Sequence, residues 1–219
     1  MSEGKRLFVG VQVSVATANA LARCAEQLAR RARDAKLEIK WVSPANYHVT
    51  LKFLGWTQND AVAAVSDRLE TALVGAQGFR FRTSRLGAFP SLDKATILWA
   101  GIEDPKPLTE LAERVERAAA ELGYKAETRP FHPHVTLARV RETRLLRDVV
   151  LPMSEQMFSE TRVDSVILYE SETKSSGSVY KEVSRIVFKT AEINEKRQTG
   201  ALELGDETEQ TDDGWPRRQ

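Results

Sequence analysis

Two of the three histidines in this 219-residue chain open the same tetrapeptide: His48-Val49-Thr50-Leu51 recurs as His134-Val135-Thr136-Leu137, 86 residues later. Side chains alternate along a strand, so each copy sets an imidazole and a hydroxyl on one face while valine and leucine anchor the reverse face by packing. An imidazole ionises near pH 6.5, so a pair of them can supply a general base and a general acid at one working pH. That combination suits in-line cleavage of a phosphoester. A neutral imidazole takes the proton of an attacking water and a protonated one delivers a proton to the departing oxygen. The two threonine hydroxyls hydrogen-bond the non-bridging oxygens where charge sits. The residue types define the pair without ordering it. Such a step needs no metal and no other cofactor, and the usual zinc spacings are missing. Cys24 is the only cysteine, and His132 is separated from His134 by Pro133 and lacks a third histidine, which points to a structural or loop role.

Both tetrapeptides follow a helix and a proline-containing approach. The first strand is expected over 6–13 and a helix over Thr17 to Ala35, with Leu21, Cys24, Ala25, Leu28 and Ala32 at helical spacing and Thr17 as N-cap. A short strand at 39–42 and the loop Ser43-Pro44-Ala45-Asn46 lead into the run Tyr47 to Leu54. A helix is expected at 59–74, then a half-buried strand Phe79 to Thr83 with Thr96 to Ala100 as its neighbour. Leu108, Leu111, Val115, Ala118, Ala119 and Leu122 give a helix from Pro107 to Gly123, and the second histidine strand spans Arg129 to Leu137. An apolar stretch at 145–151 precedes a hairpin of Val163 to Tyr169 and Val179 to Phe188 around Lys174-Ser175-Ser176-Gly177.

Composition limits the function classes. With 42% hydrophobic and 29% charged residues the chain has ordinary globular composition, and at this length it can bury a core without disulfides or structural metal. No stretch approaches the ~20 apolar residues of a membrane helix. Lys5-Arg6, the run Leu7 to Val15 and Ala18-Asn19-Ala20 imitate a secretion signal, but Gln12 and Ser14 interrupt the run and its residues read as a strand. A cytoplasmic setting is expected. Residues 191–219 hold eight acidic and four basic residues, so the total of +1 separates into +5 for 1–190 and −4 for the tail. The expectation is one domain over 1–190 and an acidic, flexible C-terminal tail over 191–219. A mildly basic body suits a phosphate-bearing ligand.

The two His-x-Thr-x motifs, Arg6-Leu7-Phe8-Val9-Gly10-Val11, the run Trp41 to Gly55, and Pro133-His134-Val135-Thr136-Leu137-Ala138-Arg139 closely resemble the RNA 2',3'-cyclic phosphodiesterases of the 2H phosphoesterase superfamily, earlier named 2'-5' RNA ligases. The resemblance covers about residues 5–188. It implies an α+β fold, bilobal, with two antiparallel sheets and flanking helices related by a pseudo-twofold around a central cleft. It implies hydrolysis of an RNA 3'-terminal 2',3'-cyclic phosphate to a 2'-phosphomonoester without metal, and weak reversible 2'-5' joining of RNA ends. The partner is then RNA or an oligonucleotide with a cyclic-phosphate end, with no membrane and no second subunit. By the same likeness His48 is the proton donor, His134 the acceptor, Thr50 and Thr136 their companions, and Phe53 and Arg139 contact the base and phosphate. Strand parity resists the last assignment, because an offset of five from the histidine falls on the opposite face unless a bulge intervenes. Two other readings fit the residues: a non-catalytic module that binds RNA ends, and a related enzyme acting on small cyclic nucleotides.

Overall fold

A computed structural model describes residues 3–174 and 177–188. The tail expected over 191–219, and Ser175-Ser176 of the expected turn, lie outside the described residues. The chain runs β1 (Gly4–Gln12), α1 (Val15–Asp34), β2 (Lys40–Trp41), β3 (His48–Gln58), α2 (Val62–Ala72), β4 (Phe79–Phe89), β5 (Ala95–Ile102), α3 (Lys106–Glu121), β6 (His134–Arg144), α4 (Arg147–Val150), β7 (Met157–Val163), β8 (Ser165–Lys174) and β9 (Gly177–Val187).

The fold is α+β and every strand pairing is antiparallel. The strand order is β7-β4-β5-β6-β3-β1-β8-β9, with β2 also pairing β6. Two arms meet where the two histidine strands meet. From that junction one arm runs β3, β1, β8, β9 and the other β6, β5, β4, β7, and each builds its first two strands from a strand–helix–strand unit, β1-α1-β3 or β5-α3-β6. The two sheets expected are continuous through a single bridge pair, Val49 with Val135.

Helix α1 buries the stripe Leu21, Cys24, Ala25, Leu28 and Ala32. Its N-cap is Ser14, whose Oγ accepts from the Thr17 N–H at 3.2 Å; Thr17, expected as the cap, lies inside the first turn and donates its hydroxyl to the Glu160 carbonyl at 3.1 Å. That carbonyl belongs to β7, a strand too weakly alternating to be expected from its residues. α3 ends as Gly123 takes φ +82°, with the Tyr124 N–H returning to the Ala119 carbonyl at 3.1 Å. β6 starts at His134 rather than Arg129, since Pro130 and Pro133 have no N–H for a ladder. The stretch at 145–151 is the short α4, and among the described residues no helix is long and apolar enough to cross a membrane.

Candidate active site

Val49 and Val135 are both fully buried, and β3 and β6 are antiparallel through them. In that register His48 lies opposite Thr136 and Thr50 opposite His134, all on the face away from the two valines. The pseudo-twofold axis therefore passes through the bridge pair, and the two copies of the tetrapeptide present their polar groups side by side.

Each copy carries the same irregularity. From the histidine onward the exposure pattern is half-buried, buried, half-buried, buried, buried, exposed, in β3 (residues 48–53) and again in β6 (134–139). The two consecutive buried residues mark a β-bulge. The β1–β3 ladder passes from Gly10–Thr50 to Val9–Lys52, skipping Leu51, and the β5–β6 ladder passes from Trp99–Thr136 to Leu98–Ala138, skipping Leu137. The motif leucine is thus the extra residue in both strands. After it the alternation is inverted, which returns Phe53 and Arg139, each five residues beyond its histidine, to the histidine side. The parity objection to those two positions is removed by the bulges.

The same inversion carries Lys52 to the core side. Its exposure is 5%, and its Nζ donates to Glu116 of α3 at 2.8 Å and to the Lys125 carbonyl at 2.6 Å. Lys52 is accordingly turned away from the two imidazoles. It fastens β3 to α3.

Both imidazoles are oriented from behind. His48 Nδ1 stands 2.6 Å from the Asn46 carbonyl and His134 Nδ1 2.6 Å from the His132 carbonyl. A carbonyl can only accept, so each Nδ1 carries its hydrogen and each Nε2 is the atom that exchanges protons. His48 Nε2 lies 3.0 Å from Thr50 Oγ1. In the neutral ring that hydroxyl donates to Nε2; in the imidazolium it accepts. Asn46 is in turn held by its Nδ2, which donates to the Ser178 carbonyl of β9 at 2.8 Å.

Aromatic rings complete the walls. Phe8 lies 4.9 Å from the His48 ring centroid, Tyr180 meets it edge-on at 5.2 Å, and Tyr169 stacks on Phe8 at 4.9 Å. Phe53 lies 6.1 Å from Phe8 and is 66% exposed. Around His134 stand Phe89 at 5.0 Å and Trp99 at 6.4 Å, and His132 packs on Trp99 at 5.3 Å. Nothing in the sequence pattern singles out Phe8, Tyr169, Tyr180, Phe89 or Trp99 for this site. These residues reach the site through cross-strand pairing with distant segments, which leaves no local signature.

Burial is the largest influence on both imidazoles. It pushes His48 down to about 4, with repulsion from His134 and Arg139 adding to it and the Asn46 carbonyl opposing it. His134 is lowered for the same first reason, its carbonyl partner again opposing, and His132 and Arg139 lower it further. Arg139 therefore lies close enough to act on both rings. Among the described residues, no three His, Cys, Asp or Glu side chains are grouped to hold a metal ion.

The chain is similar to known proteins over most of its described length. The profile of the 2'-5' RNA ligase superfamily matches residues 16–175. Over 147 residues the chain is 33% identical to a protein of Aeropyrum pernix named RNA 2',3'-cyclic phosphodiesterase, a match covering 65% of this chain and 82% of that one. A protein of the same name from Aquifex aeolicus is 31% identical over 180 residues, 80% of this chain and 93% of that one. The crystal structure of TT0787 of Thermus thermophilus superposes with a TM-score of 0.70 at 26% identity, covering 83% of this chain and 97% of that one.

Proposed function

Because the chain belongs to the 2'-5' RNA ligase superfamily, we propose that it is an RNA 2',3'-cyclic phosphodiesterase. It opens the cyclic phosphate at an RNA 3' end to a 2'-phosphomonoester, using two histidines and no metal. The observation that carries this reading is the duplicated imidazole–hydroxyl pair, each ring locked with Nδ1 on a carbonyl and Nε2 left for proton exchange.

In the proposed reaction His134 Nε2 takes a proton from water as the water oxygen bonds to phosphorus, and the phosphorus–O3' bond breaks as His48 Nε2–H delivers a proton to O3'. Thr50, Thr136 and Arg139 meet the non-bridging oxygens, where the trigonal-bipyramidal state gathers charge, and Phe53 stacks on the terminal base. In the free protein burial keeps both rings neutral at pH 7. An entering phosphodiester anion offsets the repulsion from Arg139 and replaces lost solvation with an opposite charge, so the donor acquires its proton with substrate. A low intrinsic pKa then makes the His48 imidazolium a stronger acid toward the departing oxygen. A 5'-hydroxyl in the place of water undergoes the same displacement and yields a 2'-5' linkage, which is the joining reaction we include in the proposal.

The test is an RNA oligonucleotide ending in a 2',3'-cyclic phosphate, incubated in EDTA and followed by mass spectrometry. The expected product is one water heavier and carries a 2'-phosphate. His48→Ala and His134→Ala are each expected to slow turnover by about 10²–10⁴, the usual contribution of general acid–base catalysis. Failure of the wild type to form monoester, or full activity in either variant, overturns the reading. Tight binding without turnover identifies an RNA-end-binding module instead.

A further inference from the structure

β3 contains a second bulge. Its ladder with β1 passes from Phe8–Phe53 to Leu7–Gly55, skipping Leu54, and Gly55 takes φ +77°, a conformation open to glycine at little cost. The two inversions cancel. His48, Thr50, Phe53 and Trp56 consequently all stand on one side of the strand, and Trp56 pairs across to Arg6.

Trp56 is 63% exposed, although a tryptophan buried in a core is among the most stabilising residues a chain has. Its ring is nonetheless seated. A Cβ added to Gly4 would come within 2.7 Å of the indole Cε2 and Nε1, so one edge of the ring lies directly on the Gly4 backbone while much of the indole faces solvent. Arg6, directly opposite on the same face, is exposed and makes no hydrogen bond or ion pair among the described residues. A fixed aromatic surface beside an unpaired guanidinium is the equipment for one nucleotide, the ring for the base and the cation for the phosphate. It lies two β1 residues from the Phe8–Phe53 row, about 7 Å along the strand.

We propose that Trp56 and Arg6 form a second nucleotide subsite, taking the base and phosphate that precede the terminal nucleotide of single-stranded RNA. The inference rests on the reaction proposed above and specifies its substrate as an oligonucleotide in preference to a cyclic mononucleotide.

The experiment compares kcat/KM for a single-stranded RNA tetranucleotide ending in a 2',3'-cyclic phosphate with that for a 2',3'-cyclic mononucleotide. The ratio favours the tetranucleotide in the wild type, falls about tenfold in Trp56→Ala and is largely kept in Trp56→Phe, as for loss of one base–aromatic stack. Arg6→Gln makes the salt dependence of the tetranucleotide reaction shallower. A ratio in Trp56→Ala equal to that of the wild type overturns the subsite, as does an equal fall in Trp56→Phe. Fluorescence anisotropy with a labelled tetranucleotide bearing a 3'-phosphate needs no turnover. If the wild type hydrolyses neither substrate, the proposed reaction falls; weaker binding by Trp56→Ala still sustains the subsite, and equal binding overturns it.

Discussion

A histidine that ionises near 6.5 in water is altered at both motif positions, and the direction has kinetic consequences. Burial lowers His48 to about 4 and lowers His134 as well. The proposed reaction requires a free protein with one ring charged and the other neutral, whichever of the two is the acid. We therefore expect kcat/KM for the cyclic phosphate to be bell-shaped with its maximum below pH 6.5, since this quantity reports groups in the free protein. Its two apparent constants belong to the coupled pair rather than to either ring. The limbs of kcat should lie at higher pH, because bound phosphate favours the imidazolium. Measuring both profiles between pH 4 and 9 checks the pair, and a kcat/KM maximum above pH 7 would contradict burial as the dominant influence. The pairing of the two imidazole–hydroxyl units was legible in the sequence from type and spacing alone. The identity of the groups behind them was not, since a backbone carbonyl two residues upstream has no side-chain signature.

Among the elements, the bulges decide more than the strand boundaries do. Alternation alone puts Lys52 beside His48 and Phe53 in the core, and both placements are reversed by one extra residue at Leu51. A bulge is a shift in backbone pairing that leucine does not advertise, so this part of the site could not be read from the chain. Only Gly55 leaves a trace, as a glycine inside a strand pattern. Helices α1 and α3 were legible because their apolar stripes repeat, whereas β7 is fixed by tertiary contacts such as the Ser14 and Thr17 hydrogen bonds to Glu160 and Thr161. The inverted Lys52 yields a stability prediction. Removing Glu116 with Glu116→Ala leaves a buried ammonium with only the Lys125 carbonyl, and should cost about 3 kcal/mol or more. Lys52→Met replaces the charge with an apolar chain of similar length and should cost much less. Urea unfolding of the two variants tests the order; a larger loss in Lys52→Met would count against the ion pair as the fastening.

For the molecule over its described residues, two arms of four strands share one core and meet at one bridge pair. Burying two imidazoles at that junction links the stability of the fold to acidity. Both rings bind a proton less readily folded than unfolded, so in moderate acid the unfolded chain holds more protons and is favoured. The contribution is fully present above about pH 6.5 and is lost as pH falls from there through about 4 for His48. Urea unfolding at pH 7 and pH 5 should show a lower free energy at pH 5, with a smaller drop in His48→Gln. An equal drop in that variant would assign the loss to other groups.

The repeat reaches beyond the tetrapeptide to its bulge and its carbonyl partner, and this near-identity has a cost for direction. Two halves that match so closely would accept a cyclic phosphate in either of two orientations, with donor and acceptor exchanged. The copies part on the core side at Lys52 and Ala138, and on the histidine side one residue later at Phe53 and Arg139, an aromatic ring in one arm and a guanidinium in the other, at equivalent places on the same face. A nucleotide has a base at one end and an anion at the other, so under the proposed reaction that mismatch would tell the halves apart. Polarity in this site is a property of where the symmetry fails.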